Sequence, residues 1–152
     1  MGLPLGMSIP RMDEVTEWLN PYTEKRNRWT LIHFWSLSCE TSRLELPEAG
    51  DMFGKYAYNV QCVSIHVPNR NDDRNPYEVR AVAARAGINV PLGMDGEQYI
   101  ASAFSVRKLP AYYLFDGRDR LLHVQEGKIN IDVLQSYLNK ENLAYRQAWR
   151  KP

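Results

Sequence analysis

Cys39 and Ser42 stand three residues apart just past an apolar run, in the stretch Trp35-Ser36-Leu37-Ser38-Cys39-Glu40-Thr41-Ser42. Two thiols at this spacing on the first turn of a helix can form and break a disulfide, the C-x-x-C arrangement of dithiol chemistry. Here the second position carries a hydroxyl, so a nucleophile is present and its resolving thiol is not. A sulfur at a helix N-terminus faces unpaired backbone N–H groups and the positive end of the helix dipole, both of which favour thiolate. Thiolate is the attacking species in disulfide exchange. Free cysteines also serve as small buried hydrophobes, but the position at a strand-to-helix junction favours the reactive role. The Ser42 hydroxyl has two expected uses: a hydrogen bond to the Cys39 sulfur, or the N-cap of the helix.

The elements that must hold this pair follow from the apolar periodicity. Residues 29–35 (WTLIHFW) are β-branched and aromatic, as in a strand covered on both faces. From Ser42, the spacing of Ala49, Met52, Phe53 and Tyr56 predicts a helix, with Pro47 kinking its first turns. Residues 60–67 (VQCVSIHV) predict a second strand, parallel to the first through a right-handed crossover. After the polar loop PNRNDDR, Asn75-Pro76-Tyr77-Glu78 supplies an N-cap and a proline at the first helical position, and Gly87 ends that helix. A short apolar piece, 88–94, and a brief helix at 99–104 lead to Leu109-Pro110. Residues 111–115 and 121–125, joined by Asp116-Gly117, read as a hairpin. Ile131, Leu134 and Leu138 predict a last amphipathic helix. The expected domain is residues 1–140, with 141–152 as a tail or helix extension.

Composition allows one compact α/β domain: 152 residues, 44% hydrophobic and 24% charged. Nineteen basic residues against eighteen acidic ones give a net charge of +1, which supplies no general attraction to nucleic acid or anionic membrane. The cluster Lys25, Arg26, Arg28 reads as a solvated loop. No apolar run approaches the roughly 18 residues of a membrane helix, and no secretory signal is evident at the N-terminus. Two cysteines do not make a disulfide framework, so a cytoplasmic location is expected. Three scattered histidines and two separated cysteines lack metal-ligand spacing, and no cofactor fingerprint is present.

The order strand, helix, strand, inserted helix, X-Pro, hairpin, helix, with a cysteine at the first strand-to-helix junction, resembles the thioredoxin fold. The chain is most similar to the TlpA/ResA-like branch and its small cytosolic thiol-disulfide oxidoreductases of Gram-positive bacteria. The likeness runs over roughly residues 29–138 and is strongest in LIHFWSLSCETSRLELPE and LPAYYLFDGRDRLLH. It implies a central mixed sheet with core strand order 2-1-3-4, helices on both faces and an inserted helix between the βαβ and ββα halves. It also implies catalysis by Cys39, with Ser42 in the place of the resolving cysteine, either as a natural monothiol form or as a replacement that traps intermediates. Glu45 falls where this branch has a glutamate that tunes the cysteine; a surface helix glutamate is the plainer reading. Pro110 corresponds to a cis proline that would present Leu109 to an extended substrate, with Trp35, Tyr112 and Tyr113 as further aromatic walls or as packing. His33 occupies the place of a buried proton-relaying acid, and core packing is the favoured reading for it.

Cys62 is assigned to the core, since strand geometry sets it too far from Cys39 to bridge. The expected partners are a disulfide-containing protein and, as reductant, a low-molecular-weight thiol or a thiol reductase. Two other functions remain open. One is a redox-inactive module that binds a partner segment in the groove beside Pro110. The other is a peroxidatic cysteine, for which Ser36 supplies a hydroxyl three residues ahead but the accompanying proline is missing.

Overall fold

The computed structural model describes residues 3–24, 27–127 and 131–150, without the side chains of residues 145, 146 and 148–150. Lys25 and Arg26 of the basic cluster lie outside the described residues. Six strands form one mixed sheet in the order β1-β4-β3-β2-β5-β6. They are β1 (Glu17–Asn20), β2 (Thr30–Trp35), β3 (Gln61–His66), β4 (Leu92–Met94), β5 (Ala111–Phe115) and β6 (Leu121–Glu126). The helices are α1 (Glu40–Tyr56), α2 (Pro76–Arg85), α3 (Tyr99–Ala103) and α4 (Ile131–Arg150), with a 3₁₀ turn at Asn71–Arg74. The chain has the α/β thioredoxin-like fold, and the inner run β3-β2-β5-β6 is the expected 2-1-3-4 order.

β2 lies at the centre, parallel to β3 and antiparallel to β5, and all six of its residues are buried. Its alternation sends Leu31 and Trp35 into one apolar core and Ile32 and Phe34 into the other. The first core packs under α1, α2 and α4, through residues such as Leu46, Phe53, Val79, Ala83, Leu134 and Leu138. On the opposite face Ile100, Ala101 and Phe104 from the α3 region join Val63, Ile65, Tyr113 and Phe115. Ile9, Met12, Val15, Trp18 and Tyr22 pack against that same core. The segment ahead of β2 therefore closes one face of the sheet and adds β1 as an edge strand, which periodicity did not reveal.

Local chemistry sets most element ends as expected. The Asn75 side chain accepts from the N–H groups of Tyr77 and Glu78, and Gly87 follows α2 with φ +82°. In the β5–β6 hairpin, Asp116 Oδ1 accepts from the N–H groups of Arg118 and Arg120. The short apolar piece at 88–94 contributes β4, parallel to β3 and antiparallel to β1. α4 runs unbroken to Arg150, so residues 141–150 continue the helix. Helix α1 passes through Pro47, whose missing N–H leaves the Arg43 carbonyl without its usual donor. Close approach of α1 to the end of α2 depends on Gly50, where a Cβ would meet the Ala86 carbonyl oxygen at 2.0 Å. No helix among the described residues is long and apolar enough to cross a membrane.

Candidate active site around Cys39

Cys39 is the N-cap of α1, with extended backbone at φ −91° and ψ 109°, and its side chain makes no capping bond. The α1 ladder starts there, as the Arg43 N–H donates to the Cys39 carbonyl at 3.1 Å. The thiol is instead free to turn outward, and it is half-buried. It donates to the carbonyl oxygen of Leu109 at 3.6 Å, beside the cis peptide bond between Leu109 and Pro110. The helix N-terminus and the loop ahead of β5 thus meet at the sulfur. Leu109 is half-buried and Pro110 buried, while Arg107 and Lys108 are exposed, their N–H groups both held by Glu126 Oε2 at 3.0 Å.

Ser42 is not the helix cap, because α1 starts at Glu40 and places Ser42 at the third helical position. It is fully buried, and its Oγ meets no hydrogen-bond partner among the described residues. The expected bond from Ser42 to the Cys39 sulfur is therefore not made. Its place one turn inward from an N-cap turns the hydroxyl into the protein, whereas the Cys39 side chain reaches the rim.

Glu45 lies further along α1 and is half-buried. Its charge is felt at Tyr112, whose phenol is raised above its ordinary value by burial first, then by Glu45, Glu48 and Cys62. Trp35 is fully buried and packs edge-on against His66, with ring centroids 5.0 Å apart. His33 stands in a row across three strands: its Nδ1 pairs with Ser64 Oγ at 3.0 Å, and its ring stacks on Tyr112 at 4.8 Å. Burial pushes the His33 imidazole down to about 3, so it is neutral through the physiological range. Cys62 is paired in register with Leu31, four residues before Trp35, and is 3% exposed. At ~3.3 Å per strand residue it lies about 13 Å below the end of β2, beyond which Cys39 sits. Neither cysteine is in a disulfide.

A second group of polar residues was not expected from the sequence. Asp73, in the 3₁₀ turn, is buried, and its Oδ2 accepts from Ser38 Oγ at 2.6 Å and from Ser36 Oγ at 3.2 Å. The same oxygen accepts from the N–H groups of Asn69 at 2.9 Å and Arg70 at 3.0 Å. Burial opposes the charged carboxylate, yet the bonds from Ser38, Asn69, Arg70 and Ser36 outweigh it and hold Asp73 below the usual carboxylate range. Between the two serines, the Leu37 N–H donates to His66 Nε2 at 3.1 Å. That bond requires a neutral His66 with its proton on Nδ1. Burial lowers His66 to about 4, with the Asp73 charge acting in the opposite sense. The only trace of this group in the sequence is a polar loop after an apolar strand, and nothing there tells Asp73, which turns inward, from exposed Asp72.

The profile of the AhpC/TSA family matches residues 9–124. The thiol-disulfide oxidoreductase YkuV of Bacillus subtilis is 30% identical over 142 residues, covering 91% of this chain and 96% of YkuV. The thiol-disulfide oxidoreductase ResA of the same organism is 20% identical over 118 residues, 77% of this chain and 63% of ResA. Among solved structures, a thioredoxin-like protein in its oxidised form superposes with a TM-score of 0.81 at 29% identity, covering 91% of this chain and 96% of that one. With the thioredoxin fold and a cysteine at the N-terminus of α1 already in place, the chain belongs to the AhpC/TSA family, on the thioredoxin-like side it shares with YkuV and the ResA thiol-disulfide oxidoreductases.

Proposed function

We propose that the protein is a thiol-disulfide oxidoreductase in which Cys39 acts alone as nucleophile. The observation that carries this reading is the Cys39 sulfur at the N-terminus of α1, 3.6 Å from the Leu109 carbonyl. The Cys39 thiolate attacks one sulfur of a substrate disulfide; the S–S bond breaks, the leaving thiolate takes a proton, and a mixed disulfide remains on Cys39. Ser42 has no sulfur with which to attack it. An external thiolate therefore attacks the Cys39 sulfur and expels the substrate's second thiolate, which takes a proton, and another external thiolate attacks the outer sulfur of the new mixed disulfide and releases the Cys39 thiolate. In sum, two external thiols reduce one disulfide and leave as their own disulfide. The reductant is a low-molecular-weight thiol or a thiol reductase, and the substrate is a protein disulfide. No cofactor is required.

Leu109 and Pro110 form the wall against which an extended substrate segment pairs. Trp35 is fully buried against His66, so it has no exposed surface with which to meet a substrate directly. Glu45 acts through its charge on the α1 face turned to the sheet, while His33 is assigned to the core. A cytoplasmic location fits two cysteines of which neither is bridged. A redox-inactive binding module is favoured by one observation, the missing resolving thiol at Ser42. Ser42→Cys separates the two readings: the variant is expected to reduce insulin with dithiothreitol as electron source, and failure to do so would favour the binding module.

A further inference from the structure

Three consecutive residues ahead of Cys39 are each tied to the end of β3 or the turn after it. Ser36 and Ser38 donate to Asp73, and between them Leu37 donates to His66. The Cys39 N–H then closes the loop onto the Ser36 carbonyl at 3.3 Å. We propose that Asp73 is a positioning residue for the reaction, a buried carboxylate whose contact with Ser36 and Ser38 fixes where the Cys39 sulfur stands relative to Leu109.

The chemistry of the cluster supports this over a purely local role. A buried carboxylate is costly unless its lone pairs are filled. Asp73 fills one oxygen with four donors: two backbone N–H groups of its own turn and two hydroxyls from the loop 35 and 37 residues earlier. The two backbone bonds would suffice to cap the 3₁₀ turn. The two serine bonds instead reach the residue next to Cys39, and the Ser38 bond, at 2.6 Å, has the short length of a charge-assisted contact. The Cys39 side chain has no such restraint of its own, since it makes no cap bond and its hydrogen bond among the described residues is the long one to the Leu109 carbonyl. The loop therefore takes its position from outside, and the anchor lies in the 3₁₀ turn that follows β3. Misplacing a nucleophile by about an ångström lowers reaction rates by as much as a hundredfold.

This inference rests on the oxidoreductase reading, and its test is arranged so that the two can fail separately. Rates of Cys39 with a neutral small disulfide, hydroxyethyl disulfide, and with iodoacetamide are measured on the full chain carrying Asp73→Ala, Asp73→Asn or Ser38→Ala. Circular dichroism establishes that each variant is folded. Asp73→Ala is expected to slow the disulfide reaction about tenfold or more, with a much smaller change towards iodoacetamide, which needs an accessible thiol but no alignment beside Leu109. Asp73→Asn keeps an acceptor oxygen for the same donors and is expected to recover most of the rate. Ser38→Ala removes the shortest bond to Asp73 and the 3.5 Å contact between the two serine hydroxyls, is not expected to unfold the chain, and should slow the disulfide reaction several-fold. Equal disulfide rates in the wild type and folded Ser38→Ala or Asp73→Ala proteins would overturn the assignment, as would an Asp73→Asn rate no better than that of Asp73→Ala. A wild-type protein that forms no mixed disulfide would instead overturn the oxidoreductase reading itself.

Discussion

The sulfur of Cys39 and the carbonyl oxygen of Leu109 meet at 3.6 Å although 70 residues separate them in sequence. The antiparallel pairing of β2 with β5 brings them together, since it sets Phe34 opposite Ala111 and so lays the Leu109-Pro110 turn beside the loop that leaves β2. A substrate strand lying along that turn would present its disulfide to the thiol from the exposed side.

Ser42 holds a buried hydroxyl that meets no partner among the described residues. An unpaired buried polar group costs about 1–3 kcal/mol, and alanine is also the better helix former. Ser42→Ala should therefore stabilise the protein by about 1 kcal/mol, read as a higher urea midpoint with an unchanged m-value. A midpoint shift downward would show that the hydroxyl is in fact satisfied.

His33 and His66 make stability depend on pH. Both are lowered by burial, to about 3 and about 4, from an ordinary value of 6.5. Above pH 6.5 both states are neutral and the dependence vanishes. As pH falls below 6.5 the unfolded chain takes up protons that the folded chain refuses, so stability is lost progressively towards pH 4. The slope is about 1 kcal/mol per pH unit for each histidine. Asp73 is held low as well, so its own contribution is lost only below the usual carboxylate range and does not enter this window. His33→Phe should lower stability at pH 7, because Ser64 loses its partner, and should reduce the slope between pH 6 and 4 by about 1 kcal/mol per pH unit. Denaturant melts at several pH values measure this directly. An unchanged slope would mean that His33 is protonated in the fold.

Gly50 gives a test of the packing that carries the site. A methyl there would meet the Ala86 carbonyl, so Gly50→Ala must push α1 away from the end of α2. Overpacking of this kind costs about 1–3 kcal/mol, which outweighs the gain of about 1 kcal/mol that alanine brings in a helix interior. A thermal midpoint at or above that of the wild type would contradict the observed approach.

Much of the fold was legible because β2 is almost wholly apolar and aromatic, because Val60, Cys62, Val63, Ile65 and Val67 mark β3, and because Asn75-Pro76, Gly87 and Asp116-Gly117 are strong local signals. β1 was not: Glu17-Trp18-Leu19-Asn20 is four residues long with little alternation, and it forms only because β4 offers it an edge. At the site, Cys39 and Leu109-Pro110 could be named from motif and resemblance. The position of Ser42 in its helix could not, since an N-cap reading and a third-position reading differ by one turn and serine suits a helix start in either case. Asp73 and His66 escaped because their roles come from a loop that folds back on the Cys39 turn. That contact is tertiary and leaves no spacing rule in the chain.

Cys39 as a nucleophile without a resolving partner is tested most directly by intact mass after exposure to hydroxyethyl disulfide. The expected result is one adduct per chain, mapped to Cys39, persistent until an external thiol is added and failing to accumulate in Ser42→Cys. Cys62, 3% exposed in the core, should stay unmodified. An unmodified chain, or an adduct on Cys62 in the folded protein, would contradict the assignment.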